Sequence, residues 1–195
     1  MISVYWSKKE NRMNNNRVLL VAAGGTGGHM FPAQALSDVV EGLGWSVILC
    51  TDKRGARYTE NFSHSVKRVT LVSASLARGN IFKKICFPFL MVYGLAVALS
   101  LFIREKPNVV VGFGGYPTFP AILAAKLLNV PCILHEQNAV LGRVNSFFSR
   151  WVDFVACGMI LKNPPEKVLL EYTGNPVRKE ILKRKEMSHD YVFPE

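Results

Sequence analysis

A chain of 195 residues, 49% hydrophobic and 19% charged, is long enough for one α/β domain with a sizeable core and too apolar for global disorder. Twenty-four basic against fourteen acidic residues give a net charge of +10, which calls for an anionic partner: nucleic acid, an acidic membrane surface or a phosphorylated substrate. Four scattered cysteines without a Cys-x-x-Cys pair fit a reducing compartment better than a disulfide scaffold, and they offer no metal site.

Residues 1–16 carry lysines and asparagines but no apolar run of signal-peptide length, so they read as a disordered extension. From Val18 onward strands and helices alternate, the pattern of a doubly wound parallel sheet. Expected strands are 18–23, 46–51, 67–71, 109–112, 131–135, 153–156 and 168–171. Helices are expected to begin near His29, Gly55, Ile81, Pro117, Val140 and Val177, the first ending at Gly42 and Gly44. Cys50, Cys132 and Cys157 fall in apolar strand-like runs, where a thiol acts as a small hydrophobe.

The first strand runs into GGTGGHMFPA, four glycines and a histidine before a helix in whose first turn Pro32 is expected. A strand, a glycine turn and a helix N-terminus form an anion site, because free N–H groups and the helix dipole converge there. The P-loop reading fails, since no Gly-Lys-Ser/Thr follows. A dinucleotide fingerprint counted from Gly25 meets Met30 at its sixth position, although Asp52 stands near where a ribose-binding acid would. A structural turn remains the bland alternative.

Ile85 to Ile103 contains no charge and is flanked by Lys83, Lys84 and Arg104. Its length suits a membrane span, but Pro88, Gly94 and its place between two strands of one sheet oppose that. A fully buried core helix and a helix whose start dips into a membrane are the alternatives. The basic flank of Arg78, Lys83 and Lys84 favours the membrane, with Ile81, Phe82 and Ile85 as the apolar part of the patch.

A second strand–glycine–helix junction, GFGGYPTFPA, offers Tyr116 and would share a crevice with the first loop. The strand VPCILHEQN then ends in His135, Glu136, Gln137 and Asn138, donors and acceptors of the kind a sugar site needs; His135 suits a core position equally. A third glycine turn, TGNPVR, puts Arg178 in the first turn of a helix, against the usual dipole preference, and so hints at an anion.

In order and spacing, GGTGGHMFPA, GFGGYPTFPA, HEQNAVLGRVN and TGNPVR resemble the MurG family, over about residues 17 to 185. The resemblance implies the amino-terminal, acceptor-binding half of a GT-B glycosyltransferase over residues 17–185. It implies inverting transfer of N-acetylglucosamine from UDP-N-acetylglucosamine to the C4 hydroxyl of undecaprenyl-diphospho-MurNAc-pentapeptide (lipid I), giving lipid II. Neither metal nor cofactor is implied. By motif match Thr26, Gly27 and Gly28 approach a diphosphate, and His29 is the candidate base with Glu136 as a second. Tyr116, Glu136 and Asn145 fall at acceptor positions; Asn138 and Arg178 fall at donor positions. Location on the cytoplasmic face of the inner membrane, held to its anionic surface, is implied, and no nucleic acid. Two departures stand out. VSASLARGN lacks the family's glycine-rich form, and residues 186–195 would begin a linker to a donor domain that the sequence lacks, so the chain is expected to be inactive alone. A dinucleotide-binding domain and a non-enzymatic basic module for membrane or nucleic acid are the competing readings.

Overall fold

The computed structural model describes residues 17–71 and 81–187, with the side chains of 81–87 and 184–187 outside the description. The expected extension at 1–16, the segment VSASLARGN with Arg78, residues 188–195, and the side chains of Ile81, Phe82, Lys83, Lys84 and Ile85 therefore lie outside the described residues.

Seven parallel strands form one sheet: β1 Val18–Ala23, β2 Ser46–Thr51, β3 Lys67–Thr70, β4 Val109–Gly114, β5 Cys132–Glu136, β6 Phe154–Cys157 and β7 Leu170–Tyr172. Their order is β3-β2-β1-β4-β5-β6-β7, so the winding reverses between β1 and β4. All seven expected strands form. The helices are α1 Gly27–Gly42, α2 Ile81–Glu105, α3 Thr118–Leu127, α4 Arg143–Phe148 and α5 Lys179–Met187, with a 3-10 helix at Gly55–Asn61.

Burial of both sheet faces explains the unbroken apolar runs in the central strands. Leu20, Ala22, Val110, Leu134 and Val155 face the layer containing Ala98, Phe102, Ile122 and Phe148 of α2, α3 and α4. Leu19, Val21, Leu49, Val111 and Phe113 face α1 and the segment after the 3-10 helix, through Met30, Ala33 and Phe62. The side chains of Cys50, Cys132 and Cys157 are buried in this core, as their apolar neighbours require.

Several boundaries differ from expectation. The first helix begins at Gly27, so Pro32 sits in its second turn and withholds the N–H that would reach Gly28 O. Its end is the expected glycine pair: Gly44, at φ 81°, donates to Glu41 O at 2.9 Å, and Trp45 N donates to Val40 O at 3.2 Å. That is a Schellman stop, open to Gly44 because it lacks a Cβ. The fourth helix starts at Arg143, three residues later than expected, because residues 137–142 are held as a loop by Glu136. The last starts at Lys179, so Arg178 precedes it and the argument from its place in the first turn falls.

The second helix, α2, is not the fully buried core helix that is one of the alternatives. Its window Pro88–Glu105 passes for a membrane span by length and composition, yet only 22% of it is buried. Ala98, Leu101 and Phe102 pack on the sheet, while Phe89, Val92 and Tyr93 are 74%, 68% and 56% exposed. Glu105, at its far end, pairs with Lys67 at the start of β3. Twenty-five residues span about 37 Å of helix, against about 20 Å for a six-residue strand. With its C-terminus tied to the amino edge, α2 must overshoot the carboxyl edge, toward which Phe89, Val92 and Tyr93 lie; Ile103, 64% exposed, lies at the opposite end.

Leu20 is wholly buried at the centre of β1. Leu20→Ala is expected to cost about 2–5 kcal/mol through lost burial and a residual cavity, measured as a fall in the denaturant midpoint with the slope unchanged.

Candidate active site

Both strands at the winding reversal end in glycine turns, and the two turns touch. A Cβ on Gly115 would lie 2.6 Å from Gly24 O, and one on Gly24 would lie 2.6 Å from Pro117 Cγ. Gly114 and Gly115 also hold φ of 102° and 81°, a region that penalises side chains. The sheet register skips Phe113 as it passes from Ala22–Gly112 to Ala23–Gly114, a bulge that turns β4 toward the first loop. The buried Thr118 hydroxyl fastens this junction: it accepts from Gly114 N at 3.1 Å and lies 3.0 Å from both Ala22 O and Gly114 O. The two loops expected to share a crevice therefore stand side by side, at the position where open α/β sheets bind ligands.

In the first loop, His29 Nδ1 lies 2.8 Å from Gly24 O. A carbonyl only accepts, so the ring proton sits on Nδ1 and Nε2 keeps a lone pair, on the side of the second glycine loop. Nε2 stands 3.0 Å from where a Cβ on Gly114 would be, and it has no hydrogen-bond partner among the described residues. Thr26 is exposed and caps α1 with its backbone alone. The carbonyl of Thr26 takes the N–H groups of His29 and Met30, while Gly27 N and Gly28 N precede the first intrahelical bonds.

Asp52, a ribose-binding candidate on the dinucleotide reading, is otherwise employed. Its Oδ1 accepts from Gly25 N at 3.1 Å and Gly55 N at 2.7 Å, and the residue is 7% exposed. One carboxylate thus ties the first glycine loop to the turn that carries Arg54. The sequence reading missed Arg54, whose Nη2 lies 2.8 Å from where a Cβ on Gly25 would be. The signal available was an arginine between Asp52 and Gly55 at a strand's carboxyl end.

At the end of β5, Glu136 is 1% exposed and its carboxylate is fully engaged. Oε1 accepts from Asn138 N (3.1 Å) and Asn138 Nδ2 (3.0 Å); Oε2 accepts from Gly142 N (2.8 Å) and Asn145 Nδ2 (2.9 Å). Asn145, expected at an acceptor contact, is 1% exposed beneath this loop, and its Nδ2 also reaches His135 O at 3.2 Å. Asn138 is exposed at the rim, and Tyr116 is partly buried in the second loop. His135 takes the core position foreseen as one alternative: 4% exposed, against Phe113 with ring centroids 5.1 Å apart. Burial pushes its pKa down, outweighing the Gly174 hydrogen bond and the Glu136 charge, which raise it.

The chain returns to the first loop at Arg178. Its guanidinium carbon stands 4.2 Å above the Phe31 ring, and Phe31 lies against Gly27. Arg178 Nε is buried without a hydrogen-bond partner. The expected residues therefore meet along one carboxyl edge, as a loop pair with His29, a Glu136-centred cluster beside it, and Arg178 arriving from beyond β7.

A doubly wound parallel sheet whose two central strands end in touching glycine turns at the winding reversal defines a Rossmann-like domain. The glycosyltransferase family 28 N-terminal domain profile matches residues 19–157, and the chain belongs to that family. It is 44% identical over 183 residues to UDP-N-acetylglucosamine--N-acetylmuramyl-(pentapeptide) pyrophosphoryl-undecaprenol N-acetylglucosamine transferase of Caulobacter vibrioides, covering 92% of this chain and 50% of that protein. The Maricaulis maris protein of the same name is 42% identical over 179 residues, covering 90% and 48%. The chain thus spans about half the length of the curated relatives it matches. Among solved structures, Acinetobacter baumannii MurG is 29% identical with a TM-score of 0.64, covering 79% of this chain and 44% of that one. The kitacinnamycin glycosyltransferase, 14% identical with a TM-score of 0.61 over 93% of this chain and 55% of that one, shares the fold. The MurG resemblance and the fold class read from the motifs both hold, the fold being that of the amino-terminal half of GT-B glycosyltransferases.

Two outcomes are expected from the site's internal bonds. Asp52→Ala frees two backbone donors and should cost about 2–4 kcal/mol, read by denaturant unfolding. For His135 the folded pKa lies below the ordinary value of about 6.5. Its contribution to stability is therefore full above that value and lost as pH falls through the folded pKa. His135→Gln should flatten the acid limb of the stability profile; an unchanged limb would assign that slope to other groups.

Proposed function

We propose that this chain is the acceptor-binding half of an inverting N-acetylglucosaminyltransferase acting on a lipid-linked muramoyl acceptor. The observation that carries the reading is His29, its Nδ1–H held by Gly24 O and its Nε2 unpartnered between the two glycine loops. In this reaction the acceptor's C4 oxygen forms a bond to the anomeric carbon of N-acetylglucosamine. The bond from that carbon to the UDP oxygen breaks, UDP leaves, and the C4 proton passes to His29 Nε2. An imidazole in the Nδ1–H tautomer is suited to that transfer near neutral pH. Glu136, the second candidate for the base, has no lone pair to spare. We assign it to holding Asn138 at the rim and Asn145 beneath, and Asn145 to supporting that cluster rather than touching the acceptor.

Gly27 N, Gly28 N and the Thr26 hydroxyl would meet a diphosphate at the α1 N-terminus, with Arg178 beside it and Asn138 toward the donor. UDP-N-acetylglucosamine is the donor and lipid I the acceptor on this reading, in line with what the 44%-identical relative is named for. Tyr116 lines the acceptor side. The exposed Phe89, Val92 and Tyr93, next to Lys83 and Lys84 in sequence, suit contact with an anionic membrane, which gives a peripheral location on its cytoplasmic face.

The test is radiolabel transfer from UDP-N-acetylglucosamine to lipid I by this chain combined with the carboxyl-terminal half of the Caulobacter vibrioides relative. Transfer is expected with both halves and only background with either alone, because the rate depends on both substrates being held in reacting position between the two halves. His29→Ala should lower turnover by about 10²–10⁴-fold with less effect on acceptor KM. A lower melting temperature with full turnover per folded molecule would remove His29 from the chemistry.

Vesicle sedimentation tests the membrane reading. Anionic vesicles should bind the chain more tightly than neutral ones, each nearby lysine contributing about 1 kcal/mol. Lys83→Glu with Lys84→Glu should abolish the preference, and an unaltered preference would move the patch elsewhere.

A further inference from the structure

Arg178 stands over the first glycine loop without a hydrogen bond from its Nε, so its side chain does not fix its own place. Stacking on Phe31 contributes, but the position is set mainly by the path of the main chain that delivers it. After Arg178 that path is ordinary helix: its carbonyl accepts from Ile181 N and Leu182 N. Before Arg178, residues 173–178 cross from the sheet edge toward α1 with no regular secondary structure. Thr173 N and Gly174 N donate to Cys157 O at 3.0 and 3.3 Å, and side chains add two further anchors at neighbouring residues. His135 Nε2 lies 3.2 Å from Gly174 O, and Asn175 Nδ2 donates to Gln137 O at 3.2 Å. Asn175 fits only because residue 158 is glycine, since a Cβ there would lie 1.9 Å from Asn175 Oδ1.

The tautomer of His135 is fixed from both sides. Gln137 Nε2 lies 3.2 Å from Phe113 O and 3.0 Å from His135 O, two acceptors that require the amide nitrogen rather than the oxygen at that point. The same nitrogen is 3.1 Å from His135 Nδ1, which must therefore accept. The ring proton is left on Nε2, facing Gly174 O. His29 carries the opposite tautomer, as its different neighbour demands. A second proton on His135 would set Nδ1–H against the Gln137 amide hydrogens. The charged group acting on the ring is Glu136 of the same strand, whose effect favours that proton; Cys157, paired with Glu136 across the sheet, is the titratable group on β6. Phe113 of β4 and Gly174 face the ring with no ionisable group.

We infer that neutral His135 and Asn175 form a clamp on the 174–175 turn that positions Arg178 for the diphosphate of the nucleotide-sugar donor. This rests on the donor role proposed for Arg178, but the clamp is a property of the chain itself. His135 touches no substrate and acts only through the turn. Its Gly174 bond, the Gln137 bridge to Phe113 O, and the junction of β4 with the second glycine loop join both sides of the crevice.

The experiment uses the full 195-residue chain with inorganic pyrophosphate as probe. Nitrogen-15 spectra of the His135 ring should report the Nε2–H tautomer, and the Arg178 Nε–Hε signal should exchange slowly with water. His135→Phe keeps a ring against Phe113 but removes both nitrogens. It should speed exchange at Arg178 and weaken pyrophosphate binding at least about fivefold, with no further loss when added to Arg178→Ala. His135→Gln, which restores a donor near Nε2, should recover most of the affinity. Lowering the pH through the His135 titration should copy the His135→Phe effect in the wild type and leave the His135→Gln chain unaltered. If His135→Phe fails to fold, Asn175→Ala removes the second anchor and should give the same exchange and binding changes. Unchanged Arg178 exchange, or losses that add in the double variant, would overturn the clamp. Failure of the wild type to bind pyrophosphate would instead count against the anion reading of the loop, and the Arg178 exchange rate would still decide the clamp.

Discussion

The approach of two bare backbones at the winding reversal is the constraint on which the rest depends. Because β1 and β4 are neighbours whose helices leave to opposite faces of the sheet, their following loops enclose a crevice between them. The loops can meet there only without side chains, since Gly24 and Gly115 already stand at contact distance. That meeting sets the first turn of α1, brings the His29 ring to Gly114, and gives the Nδ1–H a carbonyl to hold. The chemistry proposed for the imidazole is thus a consequence of sheet order and glycine placement. Around this centre polar side chains tie one loop to the next: Asp52 to the Arg54 turn, Thr118 to both strands, Glu136 to the 137–142 loop.

Much of this arrangement is legible in the sequence because it is local. Buried strands write themselves as apolar runs, and glycines that must take positive φ or admit another backbone stand out between them, so all seven strands and both glycine loops are foreseeable. Helix starts are less so. The start at Arg143 depends on a carboxylate seven residues earlier collecting two backbone N–H groups, and no propensity reports that. Pro32 misleads in the same way: its preference for a first turn yields to a helix whose start is set by the glycine loop. Arg178 was singled out for a dipole argument that does not apply, since the helix begins after it; what marks it is contact with Phe31, a neighbour distant in sequence.

The two site histidines and the buried Glu136 separate what a motif can say from what only geometry says. HEQN reads as a row of polar groups for sugar hydroxyls. Folded, three of the four turn inward. Glu136 saturates its carboxylate on the chain, His135 and Gln137 bridge β4, β5 and the turn after β7, and Asn138 alone stays at the rim. Burying a polar row is costly unless each member finds partners. Each of these residues makes at least one hydrogen bond, although Gln137 Oε1 and Asn145 Oδ1 are buried without a partner among the described residues. Together they hold the loops in one geometry, which suits a site where misplacement by an ångström is expensive.

The direction of α2 links the chemistry to the lipid in the proposed reaction. Because β3 and β4 run parallel in one sheet, the helix between them runs against the strands, so its start lies at the carboxyl edge with the glycine loops. The Lys67–Glu105 pair at the other end fixes which part projects. A helix longer than the sheet is deep then carries Phe89, Val92 and Tyr93 past the edge rather than into the core. An acceptor held at the membrane by its lipid, whose sugar must reach His29, needs its membrane contact and His29 on one edge. Strand order and helix length together supply that, with no adaptation of the glycine loops themselves.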